Sequence, residues 1–459
     1  MDNECNYKCN NEEINILKLK NGLTKDVVVK ISKLKQEPKW LLEYRLEGYR
    51  NFLKSSNPDW GIDLNTIDLN DLCYYLKMSP RVEQNWNKVP KFIKTTFDEI
   101  GLLEAETKYL GGIATQYESE IIYCNMQKEL SEKGVIFLDI DRAIKLYPDL
   151  IKEYFSKLVS NKDNKYAALN SAVFSGGSFI YIPKGVKLEK PLQSYFRINS
   201  DKMGQFERTI IVVDEGAELT YIEGCTAAPY FNNSLHAAVV EIYVKRGGRC
   251  RYIAIQNWAT NVYNLVTKRA LCEEKAVMEW IDGNIGSKVN MQYPTIILKG
   301  KDSVGTAISI AISSTNQIQD TGAKMIHLGS NTASNILSKS ISKDGGKSIY
   351  RGSIIHEQGA FNARTKVQCD TLILDDKSTS DTIPHNTIKT GSSTLEHEAK
   401  VSKISEELLY YIMSRGFTEE QANEMIIMGF IEPFTKELPM EYALELNQLL
   451  KMEMEGAIG

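Results

Sequence analysis

No stretch of the 459-residue chain approaches the roughly 20 consecutive apolar residues that a membrane-spanning helix needs. The opening Met1-Asp2-Asn3-Glu4-Cys5 carries neither the basic region nor the apolar core of a secretory signal. A soluble protein of the bacterial cytoplasm is expected on that ground, or one of a plastid-type organelle with a similar interior. Charge of one sign is also missing: 55 Lys and Arg stand against 59 Asp and Glu, a net charge of −4. That balance excludes a bulk electrostatic pull toward nucleic acid or an anionic membrane. Cysteine is sparse, with eight residues scattered along the chain and no C-x-x-C pair, which excludes a zinc ribbon and a disulfide framework. A G-x-x-x-x-G-K-[ST] loop is absent too, so the chain is expected to hydrolyse no nucleotide itself.

What remains falls into three zones: residues 1–160 as an N-terminal helical domain, 161–395 as a β core, and 396–459 as a C-terminal helical domain. In the first, Thr24 can cap a helix, Pro38 opens the next, and Leu42, Leu46, Tyr49 and Leu53 recur at helical spacing. Further helices are expected over 90–103 and 141–157, the latter broken by Pro148. Cys5 and Cys9 sit ahead of all this in a polar leader without further ligands beside them. In the third zone Ser405 caps one helix, Thr418-Glu419-Glu420-Gln421 opens another as a capping box, and a last one is expected over 438–454.

The middle zone is built of short Val- and Ile-rich strands punctuated by charged glycine turns at 214–218, 245–249, 343–347 and 357–361. In three of them a Tyr follows the first Gly by five residues (Tyr221, Tyr252 and Tyr350). Such loose self-similarity over a region with almost no helical pattern points to a β-solenoid, an inward column of side chains stacked coil on coil, with the flanking helical zones available to cap its ends.

Chemistry gathers near the end of that region. Around Cys369 the period is two, so Val367, Cys369, Thr371 and Ile373 share one face while Gln368, Asp370 and Leu372 point the other way. Glu396, His397 and Glu398 follow just before the expected helix, and thiolate plus imidazole suits iron or zinc. Cys250 and Cys272 read as packing residues, as do His236, His327 and His356 within the solenoid; His385, after Pro384, is the histidine placed to approach an interface.

Several separated motifs, Tyr221-Ile222-Glu223-Gly224-Cys225-Thr226-Ala227, Gln256-Asn257-Trp258, Thr267-Lys268-Arg269, Lys324-Met325-Ile326-His327, Gln368-Cys369-Asp370 and Leu395-Glu396-His397-Glu398-Ala399-Lys400, together resemble the SufB/SufD family of the SUF iron-sulfur cluster assembly system. Cys369 and the Leu-Glu-His-Glu-Ala segment favour its SufB side. The resemblance implies a mainly β fold, a right-handed parallel β-helix flanked by N-terminal and C-terminal helical domains. It also implies a non-enzymatic scaffold that accepts persulfide sulfur and iron and carries a transient iron-sulfur cluster.

By the same resemblance Cys225 is the sulfur acceptor, and Arg197, Asn199, Gln256, Trp258 and Lys268 line a tunnel through the coil. Cys369 is the assembly point, with His397, Glu398 and Glu396 helping to hold iron. The implied partners are the SufC ATPase at the C-terminal helices, SufD or a second SufB along the β-helix, a SufE- or SufU-like sulfur donor, and apo iron-sulfur proteins or carriers. The resemblance also allows a reduced flavin as electron source, although the sequence shows no nucleotide-binding fingerprint. Two alternatives stand beside it: a SufD-like structural subunit, and a β-helix carbohydrate-active enzyme, which would need paired acids for proton transfer.

Overall fold

The computed structural model of the protein describes residues 4–9, 12–79, 82–91, 93–94, 109–228, 230, 232–439 and 442–443. The N-terminal zone follows its local signals. Thr24 accepts from the Val27 N–H at 3.2 Å to start the helix Lys25–Lys35, and Pro38 precedes the helix Lys39–Lys54. The chain breaks at Tyr147 between Ile140–Leu146 and Pro148–Tyr154, with the proline in the first turn where its missing N–H costs nothing.

The zone is less helical than its periodicity suggests. The polar leader forms the strand Glu4–Cys9, which pairs antiparallel with Glu12–Lys18, and the hairpin of Gly112–Tyr117 with Glu120–Met126 extends one sheet of the core. The helices expected over 90–103 and 438–454 lie largely outside the described residues.

The core is a β-solenoid of about eight turns, made of two long sheets whose strands pair in parallel from one turn to the next. Register shows the repeat: Ser338 pairs with Cys369 and Cys369 with Ala399, so a turn takes roughly 30 residues. The glycine turns are its corners, where Gly216, Gly247 and Gly345 adopt φ of +63°, +66° and +81°. The tyrosine five residues later points inward each time. Tyr221 and Tyr252 meet at a tilt with 5.0 Å between ring centroids, and Trp280, which follows the left-handed Lys275 by the same interval, continues the column edge-on to Tyr252 at 4.8 Å.

Two features differ from the sequence reading. The segment 394–403 is a strand, Thr394–Lys403, in register with Arg364–Ile373, so it forms part of the last turn of the solenoid. Its exposed edge position removes the hydrophobic alternation that marks an inner strand, while Glu396 and Lys400 mimic a helical ion pair. Nor do the C-terminal helices described here cap that end. The helix Glu419–Thr435, opened by the expected capping box, instead lays Ile427, Ile431 and Phe434 on the outer face of one sheet against Ile222, Ile253, Ile281 and Ile310. Among the described residues nothing covers the final turn, whose strands Thr379–Ile388 and Thr394–Lys403 are largely exposed, and the helix Glu406–Met413 buries no side chain.

Candidate functional site

Because side chains alternate across a strand, parallel register stacks inward residues of successive turns into files. One file runs Glu223, Ala254, Asp282, Ser309, Ser338, Cys369, Ala399; its neighbour runs Cys225, Gln256, Asn284, Ala311, Ser340, Thr371, Val401. Both are polar or small over much of their length, unusual for a solenoid column.

Cys225 is fully buried at one end of this lane. Its Sγ donates to Glu223 Oε1 at 3.7 Å, and Tyr252 Oη donates to the other oxygen of the same carboxyl. Lys268, from the facing sheet, pairs with Asp282 at 2.7 Å and lies 5.1 Å from the Tyr252 ring centre. His236 bridges Glu207 at 2.8 Å and Asn264 at 2.6 Å, with its ring 4.6 Å from that of Trp258. From Asn264 amides continue the polar column: its Nδ2 donates to Gln256 at 2.5 Å and to Asn290 at 2.8 Å, and Asn290 donates to Gln319 at 2.9 Å.

Burial dominates the ionisation of this interior. It holds the Cys225 thiol well above the ordinary thiol range, with the Glu223 and Glu207 charges adding and Lys268 opposing. Burial also raises Glu223, against Lys268, the Tyr252 hydroxyl and His236. For Lys268 burial works downward, but Asp282 and then Glu223 outweigh it and the ammonium is stabilised overall.

At the open end Cys369 is 4 % exposed and its Sγ lies 3.7 Å from Nε2 of the half-buried His397. Burial pushes the Cys369 thiol up to about 12, with the Tyr350 hydroxyl opposing and Asp370 adding, while desolvation lowers the His397 imidazole. A neutral imidazole beside a thiol is a donor pair suited to a soft or borderline metal once the thiol proton leaves.

Cys225, Gln256, Trp258 and Lys268 therefore meet in one interior, and Cys369 meets His397. Arg197 and Asn199 do not join the first group. Arg197 pairs in register with Thr226, on the opposite face from Cys225, and donates to its hydroxyl at 2.9 Å; Asn199 donates to Tyr117 Oη at 2.6 Å. Glu396 and Glu398 do not reach Cys369 either: they pair with Lys366 and Gln368 and stand exposed on the outer face. Among the described residues no three His, Cys, Asp or Glu side chains are grouped to hold a metal ion.

Cys250 and Cys272 are fully buried, in the interior hydrophobic cluster, as expected of packing residues. His385 stands exposed on the last strand of the second sheet. The reading missed Glu223, Glu207 and Asp282, and took His236 for an ordinary solenoid histidine. The one available signal was Glu223 two residues before Cys225, a spacing that sets both on one face of a strand.

Fold and site together define a β-solenoid protein with a buried thiol beside a carboxyl in its interior and a thiol beside an imidazole near its end. The chain belongs to the SufBD family of iron-sulfur cluster assembly proteins: residues 196–430 match the family model described as "SUF system FeS cluster assembly, SufBD core domain", and residues 75–194 match "SufBD protein N-terminal region". It is 58% identical over 456 residues to the iron-sulfur cluster assembly protein SufB of Bacillus subtilis (strain 168), covering 99% of this chain and 98% of that protein. It is similarly 57% identical to a SufBD family protein of Staphylococcus epidermidis (strain ATCC 12228) and 56% identical to one of Staphylococcus aureus (strain MRSA252), each over 99% of this chain and 97% of the relative. No helix among the described residues is long and apolar enough to cross a membrane.

Proposed function

We propose that this chain is a cytoplasmic scaffold on which an iron-sulfur cluster is built for delivery to apo-proteins. The observation that carries this reading is the Cys369–His397 pair, 3.7 Å apart, which joins the inner face of the penultimate strand of its sheet to the last strand, beyond which no described residue packs as a cap. One thiol and one imidazole are too few to retain a cluster, so a second subunit seated on the open end, SufD or another copy of the chain, completes the ligand set and releases the product when it moves. Glu396 and Glu398, exposed on the same edge strand, gather iron at the rim.

Cys225 accepts persulfide sulfur from a SufE- or SufU-like donor. Gln256, Trp258 and Lys268 then keep that sulfur in a lane shielded from solvent, while Arg197 and Asn199 order the outer flank of the acceptor strand. The coil is right-handed, as parallel crossovers are in nearly all sheets. The helix Glu406–Met413, with Leu408, Tyr410, Tyr411 and Met413 exposed, is the docking face for the SufC ATPase. The acceptor step is tested by supplying donor-bound persulfide and mapping one-sulfur mass increments by mass spectrometry. The expected increment falls on Cys225 in wild type and disappears in Cys225→Ala; an unlabelled Cys225 beside another labelled cysteine would overturn the assignment.

A further inference from the structure

The interior around Cys225 holds three acids and two cations, and the contacts divide them unevenly. Lys268 is matched to Asp282 at 2.7 Å. Both ring nitrogens of His236 face acceptors, Glu207 Oε2 at 2.8 Å and Asn264 Oδ1 at 2.6 Å, and the Asn264 amide nitrogen is already donating to Gln256 and Asn290. His236 therefore donates from both nitrogens and is the imidazolium partner of Glu207. Glu223 is left with neutral donors alone, the Cys225 thiol and the Tyr252 hydroxyl.

We infer that Glu223 is the proton acceptor that activates Cys225 when it takes up sulfur. This rests on the reading of Cys225 as the acceptor thiol. A fully buried thiol in hydrogen-bond contact with a carboxyl has that carboxyl as the nearest base for its proton, so near neutral pH it ionises fastest by handing the proton to it.

Glu223 removes the proton from Cys225 Sγ, and the freed electron pair attacks the outer sulfur of a donor persulfide R–S–SH. The donor S–S bond breaks with its pair leaving on R–S⁻, which takes the proton back from Glu223. Cys225 is left as Cys–S–SH and the donor as R–SH, with no net oxidation. Lys268, whose charge acts on both Cys225 and Glu223, steadies the thiolate while the proton is away. The other titratable groups around Glu223 are Tyr221 on its own strand, Tyr252 on the neighbouring strand, His236 and Glu207 from the facing side of the coil, and Asp282, two strands away, which is paired with Lys268.

The test uses the full chain with glutathione persulfide as sulfur source, following Cys225 persulfide by mass spectrometry across pH. Wild type is expected to react with a shallow pH dependence near neutrality. Glu223→Gln, which keeps the side-chain shape, is expected to react about 100-fold more slowly, with a rate that climbs about tenfold per pH unit as hydroxide takes over. Glu223→Asp, should the amide variant fold poorly, is expected to keep the wild-type pH profile at a reduced rate. Equal rates and profiles in wild type and Glu223→Gln, or a hydroxide-like profile in Glu223→Asp, would overturn the inference while leaving Cys225 as the acceptor. No sulfur on wild-type Cys225 would instead overturn the acceptor reading, and this inference with it.

Discussion

Glu223 and Cys369 stand in the same inward file of one sheet, five strand steps apart, with Ala254, Asp282, Ser309 and Ser338 between them. At about 4.8 Å per step the two ends are roughly 24 Å apart. Small side chains make up the second half of the file, along the route proposed for sulfur between the two thiols.

Blocking that lane should separate sulfur uptake from cluster assembly. Ser338 lies one turn before Cys369 and is buried, so Ser338→Leu replaces a hydroxyl with a branched alkyl group and adds two heavy atoms to the file. The expected stability loss is about 1–3 kcal/mol from overpacking. Persulfide on Cys225 should form as in wild type while sulfide delivered to Cys369 falls severalfold, read by mass spectrometry and labile-sulfide assay on the same sample.

The Lys268–Asp282 pair should respond asymmetrically to mutation. Both side chains are out of water, so Lys268→Met strands an acid in the interior and should cost about 3–5 kcal/mol. The double variant Lys268→Met with Asp282→Leu removes both charges and should recover most of that loss. Urea unfolding of the three proteins measures it, and recovered stability without recovered sulfur transfer would place Lys268 in the chemistry.

Glu118 offers a pH test away from the thiols. Its Oε1 accepts from the Asn199 N–H at 3.1 Å and the Ser200 hydroxyl at 2.6 Å, while Oε2 is buried without a partner. Burial, opposed by those hydrogen bonds, pushes its acid from an ordinary 4.5 up to about 7. With the folded value above the unfolded one, the neutral acid favours the fold, and its contribution is complete below pH 4.5 and lost as pH rises through about 7. Relative to Glu118→Gln, wild type should therefore lose on the order of 3 kcal/mol across that window, measured by denaturant titration at several pH values.

The solenoid was legible because Gly216, Gly247 and Gly345 announce corners and a tyrosine follows each at a fixed interval. The full repeat was hidden because Lys275, Asp302, Asn316, Asn331 and Asn362 turn other corners in the left-handed conformation without glycine. Cys369 and its face could be read from a strict period of two. The strand bearing His397 could not, since an exposed edge strand has no buried face to enforce alternation and its charges repeat as they would on a helix. Nor could the surroundings of Cys225: Lys268 and Glu207 come from distant parts of the chain, and only the coil brings their charges to bear on Cys225 and Glu223.

The central claim, that cluster chemistry happens at Cys369 beside His397 of the last turn, is tested most directly by anaerobic reconstitution. The chain is combined with its ATPase partner, iron and a sulfur donor, and visible absorption and labile sulfide are followed for wild type, Cys369→Ala and Cys225→Ala. Wild type should gain a cluster, Cys369→Ala should gain none even when free sulfide is supplied, and Cys225→Ala should fail with the protein donor but recover with free sulfide. A Cys369→Ala protein that assembles a cluster as wild type does would contradict the account.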